Sequence, residues 1–284
     1  MIDARPSRTA LRVAMRRAEH QIFDHPKVLD DPIAVPILGA ATQAELRAPT
    51  LARTSRFGRY LRAFMVGRSR YAEDELAGAV ARGAQQYVIL GAGLDTFAYR
   101  NPFAESALRV FEVDYPATQA WKRERLAAAN IPIPASLRFA PVDFERQSLS
   151  DGLQQAGYDS HAATFFSWLG VTPYLTADVV MSTFRFIAAS PAGGGVVFDY
   201  AVPRELLSWR QKLVLDFLSR RVAAAGEPFR TFFAPAALAA ELRGMGFSRI
   251  EDLGTAEMNA RYFQDRADRL RMGGAVGRLM SAQI

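Results

Sequence analysis

The sequence predicts an α/β protein built around a parallel sheet. From Gln86 onwards, short apolar stretches rich in β-branched and aromatic residues alternate with amphipathic helical stretches, which is the pattern of strands joined by crossover helices. The first of these strands, residues 87–90, ends in Gly91-Ala92-Gly93. A strand, a glycine turn and a helix start form the usual ligand site of an open α/β sheet, because glycine lets the backbone approach a ligand closely.

The first eighty residues precede this sheet and are predicted to be helical. Residues 7–24 and 55–82 place apolar side chains at helical spacing, which is typical of amphipathic helices. A shorter helical segment is predicted between them, from Asp30 to about Gly39. We expect residues 1–83 to form a helical cap in the same domain as residues 84–284, either as a lid or as a packing layer.

Strands and helices continue in alternation after the glycine turn. Strands are predicted at 108–113, 137–142, 162–168, 196–200, 247–253 and 277–284, and helices at 116–130, 147–156, 176–189, 203–225 and 235–243. With 284 residues, 50% of them hydrophobic, the chain can bury a sizeable core.

The composition favours a soluble, cytoplasmic protein that binds a small molecule. The chain has no cysteine, which excludes disulfides and cysteine-bound metals. No apolar stretch reaches the ~20 residues that span a bilayer, and the N-terminus lacks the pattern of a secretory signal. The net charge of +6 raises the possibility of nucleic-acid binding, but the arginines are interleaved with acids and form no recognised motif. Three isolated histidines suggest neither a metal site nor a catalytic base.

The glycine turn fits an adenosyl ligand better than a dinucleotide. Thr96 occupies the position of the third glycine in a dinucleotide-binding turn. Asp114, at the end of the second strand, is placed to bind ribose hydroxyls of either ligand, whereas Glu112 is expected to face outwards or to cap a neighbouring backbone. Asp143-Phe144, after the third strand, could accept from an adenine amino group and cover its ring. Asp95 is equally suited to cap a helix or to contact the ligand.

Three motifs, LGAGLDTFAYR, FEVDYP and VDF, together resemble the S-adenosylmethionine-dependent methyltransferases related to leucine carboxyl methyltransferase. The similarity is closer to a bacterial branch that includes O-methyltransferases of polyketide pathways. It extends to TALRVAMRRAEH near the N-terminus and RYFQDRADRLR near the C-terminus, so it covers nearly the whole chain. The resemblance implies a class I methyltransferase, Rossmann-like seven-stranded sheet, with the last strand antiparallel, an N-terminal helical cap and S-adenosyl-L-methionine as cofactor.

The resemblance also implies which residues bind the cofactor. They lie after the first three strands or in the cap: Arg68, Gly91, Ala92, Gly93, Asp114, Asp143 and Phe144. Arg68 is similar to the family arginine that pairs with the cofactor carboxylate, and Arg17 is a looser match to a second basic residue. The acid that many relatives carry after the fourth strand is absent here, so the cofactor amino group would be bound by backbone or not at all.

Aromatic residues after the fourth and fifth strands predict an acceptor pocket formed by Trp168, Tyr174, Tyr200 and the loop 229–233. Each alone would more often be a core residue, but their grouping favours a pocket. Arg204 and Arg230 could hold an acidic acceptor, although a solvated surface arginine is the commoner outcome.

We therefore expect an S-adenosylmethionine-dependent methyltransferase that methylates an oxygen of a small molecule or carboxylate by in-line transfer. One alternative is a nicotinamide-dependent oxidoreductase, which Thr96 and Asp143-Phe144 argue against. Another is a non-catalytic cofactor-binding protein with the same fold, which is suggested by the missing acid after the fourth strand. The sequence names no catalytic base, acceptor or oligomeric state.

Overall fold

A mixed seven-stranded sheet forms the centre of the protein. The structure, a computed structural model, describes residues 8–47, 55–103, 108–143, 147–224 and 226–284. The strands in these residues are β1 (Gln86–Leu90), β2 (Arg109–Asp114), β3 (Leu137–Pro141), β4 (Thr164–Trp168), β5 (Gly195–Ala201), β6 (Ile250–Leu253) and β7 (Gly277–Gln283). Their spatial order is β3-β2-β1-β4-β5-β7-β6. Strands β1 to β5 pair in parallel, whereas β7 runs antiparallel to both β5 and β6. The predicted fold class, including its antiparallel last strand, is confirmed.

Helices cover both faces of this sheet. The α-helices in the described ranges are α1 (Arg8–Phe23), α2 (Gly39–Arg47), α3 (Arg56–Ala81), α4 (Pro116–Ala128), α5 (Leu149–Gln155), α6 (Ala177–Ala188), α7 (Trp209–Ala223), α8 (Pro235–Gly244) and α9 (Thr255–Tyr262). The first three form the N-terminal helical cap that the sequence predicts. None of the helices in these ranges is both long and apolar enough to span a membrane.

Strand β1 is buried on both faces because it lies in the middle of the sheet. Val88 and Leu90 belong to the apolar core that includes residues of α5, α6 and α8. Tyr87 and Ile89 belong to the core on the opposite face, which includes residues of α3 and α9. Since successive side chains of a strand point to opposite faces, a strand covered on both sides needs an apolar residue at every position. That requirement explains the uninterrupted apolar stretch before the glycine turn.

A buried ion pair joins α1 to α3 within the cap. Both Nε and Nη2 of Arg62 donate to the carboxylate of Asp24, at 2.7 and 2.8 Å. His20, whose side chain is completely buried, lies 2.9 Å from the same carboxylate and accepts from the backbone N–H of Val28. His20 is therefore a buried packing histidine.

Three local predictions differ from the structure. The single helix predicted over 203–225 is wrong, because a short 3₁₀ turn at Arg204–Leu206 precedes a new helix at Trp209, where Gln211 Oε1 accepts from the Ser208 N–H. The segment before Gly39 forms only the 3₁₀ turn Pro36–Leu38, and α2 begins at the glycine where the prediction ended. Helix α9 is missed, because it has only eight residues between two strands.

Candidate functional site

The carboxyl ends of the central strands open into a cavity of about 970 Å³, called here the main cavity. Its walls come from the ends of β1 and β2, the loop after β4, helices α1 and α3, and the segment around 226–230. It is lined by every described residue among those predicted to bind the cofactor: Arg68, Gly91, Ala92, Gly93, Asp114 and Asp143. Phe144 lies outside the described residues. The roles of these residues stay predictions, but the fold brings them to one place.

The glycine turn after β1 is fixed by the protein's own packing. Gly91 and Gly93 have φ of 68° and 49°, in the left-handed region that favours glycine. A Cβ on Gly91 would lie 2.3 Å from Cγ2 of Val171 in the loop after β4. The backbone N–H groups of Gly91 and Ala92 both donate to the carbonyl of Val113. Close approach to β2 and to this loop therefore already requires a glycine at position 91.

Asp114 connects the end of β2 to the same turn. Its Oδ2 accepts from the N–H of Gly93, and its Oδ1 accepts from the N–H of Tyr115 at 2.7 Å. Burial raises the pKa of Asp114 above its usual value, and these two backbone hydrogen bonds partly offset that effect. The carboxylate thus holds the glycine turn in shape while lining the main cavity.

Arg68 crosses the ends of β4 and β5 in an ion pair that the sequence did not indicate. Its Nη1 donates to Oδ2 of Asp199 at 2.7 Å, and both side chains are buried. The other carboxylate oxygen of Asp199 accepts from the N–H of Gly170. A Cβ at Gly170 would lie 2.9 Å from Nη2 of Arg68, so this glycine makes room for the guanidinium. The one signal for Asp199 in the sequence is an acid inside the otherwise apolar strand GVVFDYA.

Thr96, which replaces the third glycine, is the centre of a buried polar network. Its hydroxyl donates to Oδ2 of Asp31 at 2.7 Å and accepts from Nη2 of Arg17. Arg17 also pairs with Asp31 and, at 3.3 Å, with Asp95. Arg100 adds a contact to Asp31 at 3.4 Å. Through Asp31 and Arg17, Thr96 thereby connects the glycine turn to the cap.

The charges in this network stabilise each other. Burial opposes ionisation of Arg17, but Asp31 and Asp95 together hold the pKa of the guanidinium above its usual value. Burial likewise opposes ionisation of Asp31, yet Arg17 and Arg100 lower the pKa of that carboxyl. Arg17 lines the main cavity with three protein partners already engaged. Asp95 Oδ1 accepts from the N–H of Phe97 at the start of the 3₁₀ turn Phe97–Tyr99, and Asp95 also lines the main cavity.

Glu112 does not face outwards, and that expectation is wrong. Its side chain is completely buried under α4, where Nζ of Lys122 lies 2.6 Å from Oε2. Burial raises the pKa of Glu112 to about 7, although Lys122 pulls it in the opposite direction. Strand β2 lies between β1 and β3, so both its faces are covered and its charged residue needs a buried partner.

Two of the three aromatic residues predicted for the acceptor pocket do not reach the main cavity. Trp168 is fully buried and packs edge-on against Phe184, with ring centroids 5.5 Å apart. Tyr200 donates its hydroxyl to Asp252 at 2.9 Å, and burial raises its pKa. Ser167, the neighbour of Trp168, lines the cavity instead, because adjacent strand residues point to opposite faces. The prediction is corrected for Trp168 and Tyr200.

Tyr174 and residues of the segment 226–230 also line the main cavity. The rings of Tyr174 and Phe229 lie 5.4 Å apart, and burial together with Glu227 raises the pKa of Tyr174 to about 12. The Thr9 hydroxyl of α1 donates to Glu227. Arg230 lines the cavity and is exposed. Glu227 belongs to no recognisable sequence motif, so it is absent from the site residues predicted from the sequence.

Arg204, the other arginine considered for an acidic acceptor, lies outside the cavity. It forms an exposed pair with Asp216 at 3.2 Å. No group of three or more histidine, aspartate or glutamate side chains that could hold a metal ion occurs in the described ranges.

Comparison with known proteins relates these motifs to an established family. Residues 10–188, which include α1, the glycine turn, Asp114 and the loop after β4, match the model of the leucine carboxyl methyltransferase family. The chain belongs to this family. Over 93% of both chains, it is 32% identical to a protein of Bacillus subtilis named "Putative S-adenosyl-L-methionine-dependent methyltransferase YktD". The family resemblance and the prediction of S-adenosyl-L-methionine as cofactor are confirmed at this level.

Solved structures show the same fold. A DUF574 family protein of Streptomyces avermitilis aligns with a TM-score of 0.56 at 15% identity, covering 100% of this chain and 99% of that one. A protein of Thermobifida fusca aligns with the same TM-score at 16% identity, covering 99% and 96%. The family match ends at residue 188, so the segment 226–230, which also lines the main cavity, lies beyond it.

Proposed function

We propose that this family member transfers a methyl group from S-adenosyl-L-methionine to an oxygen of a small acidic acceptor, with a carboxylate as the favoured group. The observation that carries the proposal is Arg230, which lines the main cavity, is exposed and forms no ion pair with a described residue. Ligand pockets typically measure roughly 300–1,000 Å³, so a cavity of about 970 Å³ has room for a cofactor and a small acceptor together.

The residues after the first three strands, together with Arg68, support a site for the cofactor. Asp114 presents a carboxylate suited to two ribose hydroxyls, and Asp143 would accept from the adenine amino group. Arg68 uses Nη1 for Asp199, and a guanidinium has five N–H donors, so donors remain for the carboxylate of the methionine part. The backbone of residues 91–93 would lie along that part.

Methyl transfer from this cofactor requires few chemical groups of the protein. When bound, the cofactor supplies a methyl group already activated by its sulfonium, and the chain has to align the acceptor oxygen and exclude water. A carboxylate acceptor is ionised at neutral pH and needs no general base. Tyr174, whose pKa of about 12 keeps its hydroxyl protonated, could donate a hydrogen bond to such an acceptor beside Arg230.

A labelled-methyl assay tests the proposal and its alternative together. The protein is incubated with methyl-labelled cofactor and a panel of small carboxylic acids, phenols and alcohols. Methyl esters release labelled methanol in mild base, whereas ethers keep the label. Base-labile label supports carboxylate methylation, and base-stable label on a phenol or alcohol would show a different oxygen acceptor. Tight cofactor binding without labelled product on any acceptor would instead favour the non-catalytic alternative.

The cap and the sheet are further proposed to act as one domain. Val66 and Tyr71 of α3 are buried in the same core as Val197 and Leu279 of the sheet. This shared core supports placing residues 1–83 and 84–284 in one domain. A cytoplasmic location, and the absence of a nucleic-acid partner, stay predictions from composition.

A further inference from the structure

A second cavity lies between the first turns of α3 and the segment 263–271, and is called here the arginine cavity. Its volume is about 490 Å³. The described residues that line it are Arg56, Arg59, Tyr60, Phe263, Arg266, Arg269, Leu270 and Arg271. Five of these eight are arginines and none is acidic. None of them also lines the main cavity, so this cavity is a separate feature.

One of the five arginines is neutralised by a neighbouring acid. Nε and Nη2 of Arg266 donate to the carboxylate of Asp268 at 2.9 and 2.6 Å. The same carboxylate also accepts from the backbone N–H groups of His25 and Leu270. Asp268 is therefore fully engaged, and it compensates Arg266 alone.

The other four arginines form no ion pair with a described residue. Arg59 donates to the backbone carbonyl of Asp268, and Nε of Arg56 donates to the Tyr60 hydroxyl at 2.7 Å. Both of these partners are neutral. Arg269 and Arg271 are exposed at the opposite wall. Four positive charges thus converge on one small cavity without a compensating carboxylate.

The pKa of Tyr60 shows the effect of these positive charges. Burial raises the pKa of its phenol, but Arg271 and Arg56 outweigh this effect and hold the pKa below its ordinary value. At the other wall, Arg269 has φ of 53° and Asp265 has φ of 47°, a backbone conformation that is unfavourable for residues other than glycine. The segment is thus held in a tight turn that presents Arg269 and Arg271 together.

We propose that the arginine cavity binds a small molecule that carries two or more phosphate groups. The guanidinium fork matches phosphate oxygens in bidentate geometry, and one carboxylate would leave most of the four charges uncompensated. A concave site of this volume suits a small molecule. The Tyr60 hydroxyl, already accepting from Arg56, supplies one further donor.

The two cavities can be occupied at the same time. Arg59 and Arg68 are both on α3, nine residues apart, which is about 13 Å along a helix. A diphosphate held by Arg59 would therefore not reach the cofactor residues. This separation allows the proposal to be tested independently of methyl transfer.

The test is calorimetric titration of the full chain with inorganic pyrophosphate, with S-adenosylmethionine present at saturation to fill the main cavity. One pyrophosphate per chain is expected to bind, with an affinity that falls as salt is raised. The double variant Arg269→Gln/Arg271→Gln should bind about tenfold or more weakly, because two charge-assisted contacts are lost. Both side chains are exposed, and the single variant Arg271→Gln provides a milder change if the double variant unfolds.

A matched control removes the same charge elsewhere. Arg210 and Arg221 are exposed on α7, so Arg210→Gln/Arg221→Gln should leave pyrophosphate affinity unchanged. The proposal is overturned if pyrophosphate does not bind at low salt, or if the control variant loses as much affinity as the cavity variant. Binding of a nucleic-acid oligomer without binding of pyrophosphate would also overturn it.

Discussion

Nη1 of Arg68 and Oδ2 of Asp199 lie 2.7 Å apart, and less than a tenth of either side chain is exposed to solvent. The pair brings a cap residue from α3 to the end of β5, and the second oxygen of Asp199 fixes the loop after β4 through the Gly170 N–H. One carboxylate thus positions two walls of the main cavity.

Replacing Asp199 should destabilise the fold. In Asp199→Ala a buried guanidinium loses its partner, and breaking a buried pair in this way costs about 3–5 kcal/mol. Urea unfolding should show this loss in the free energy of unfolding. Asp199→Asn keeps the size and one acceptor oxygen and should lose less, so equal stability of all three proteins would contradict the structural role of the pair.

Asp114→Ala should weaken cofactor binding by roughly 1–3 kcal/mol, through loss of charge-assisted hydrogen bonds to ribose. The variant also removes the acceptor for the Gly93 N–H, so thermal unfolding must be measured beside calorimetry. Asp114→Asn separates the two effects, because an amide oxygen can still accept from the turn. Unchanged cofactor affinity in both variants would remove the ribose assignment.

Thr96→Gly restores the third glycine of a dinucleotide turn and should destabilise the protein. The buried hydroxyl contacts to Asp31 and Arg17 are lost, which costs about 1–3 kcal/mol. Thr96→Ser keeps the hydroxyl and should be close to the parent in denaturant unfolding. Calorimetry with NADH should detect no binding to the glycine variant, and a gain of NADH binding would reverse the ligand assignment.

Burial of Glu112 should make stability fall as pH rises, even though Lys122 partly offsets its effect. The folded-state pKa of Glu112 is raised to about 7, above its unfolded value, so the unfolded state releases the proton first. Stability is therefore expected to decrease between about pH 4.5 and 7, by an amount on the order of 1–3 kcal/mol. Denaturant unfolding across this range should show the decrease in the parent. It should be absent from Glu112→Gln/Lys122→Met, and identical pH profiles would contradict the assignment.

Arg230→Gln should raise the KM for an acidic acceptor by about tenfold, since a charged hydrogen bond is worth roughly 1.5–3 kcal/mol. Cofactor affinity should be measured in the same variant, because Arg230 and the predicted cofactor residues line one cavity. Arg204→Gln is the matched control, as that arginine pairs with Asp216 outside the cavity. A similar change in KM from both variants would point to overall charge instead of a specific contact.

Local sequence patterns predicted the fold, and they singled out several residues that line the main cavity. The apolar stretch before Gly91 and the acid at the end of β2 are features of consecutive residues, and the fold brings them together in any parallel sheet of this kind. The family resemblance added the number of strands, the antiparallel last strand and Arg68.

The errors arose where partners lie far apart in the chain. Asp199 contacts Arg68, and Glu227 contacts Thr9, in each case across more than 130 residues of sequence. No local sequence pattern predicts such contacts. Trp168 and Tyr200 were misassigned because strands buried on both faces are apolar throughout. In such strands the sequence does not reveal which residues face the cavity.

The Thr96 network has a consequence for how this chain can be recombined with its relatives. Arg17 and Asp31 come from the N-terminal part, whereas Asp95, Thr96 and Arg100 follow the first strand. A chimaera that exchanges one part alone would bring together buried charges that no longer match in number or position. The two parts of the chain therefore depend on each other for this network, and a viable crossover has to preserve both sets of residues.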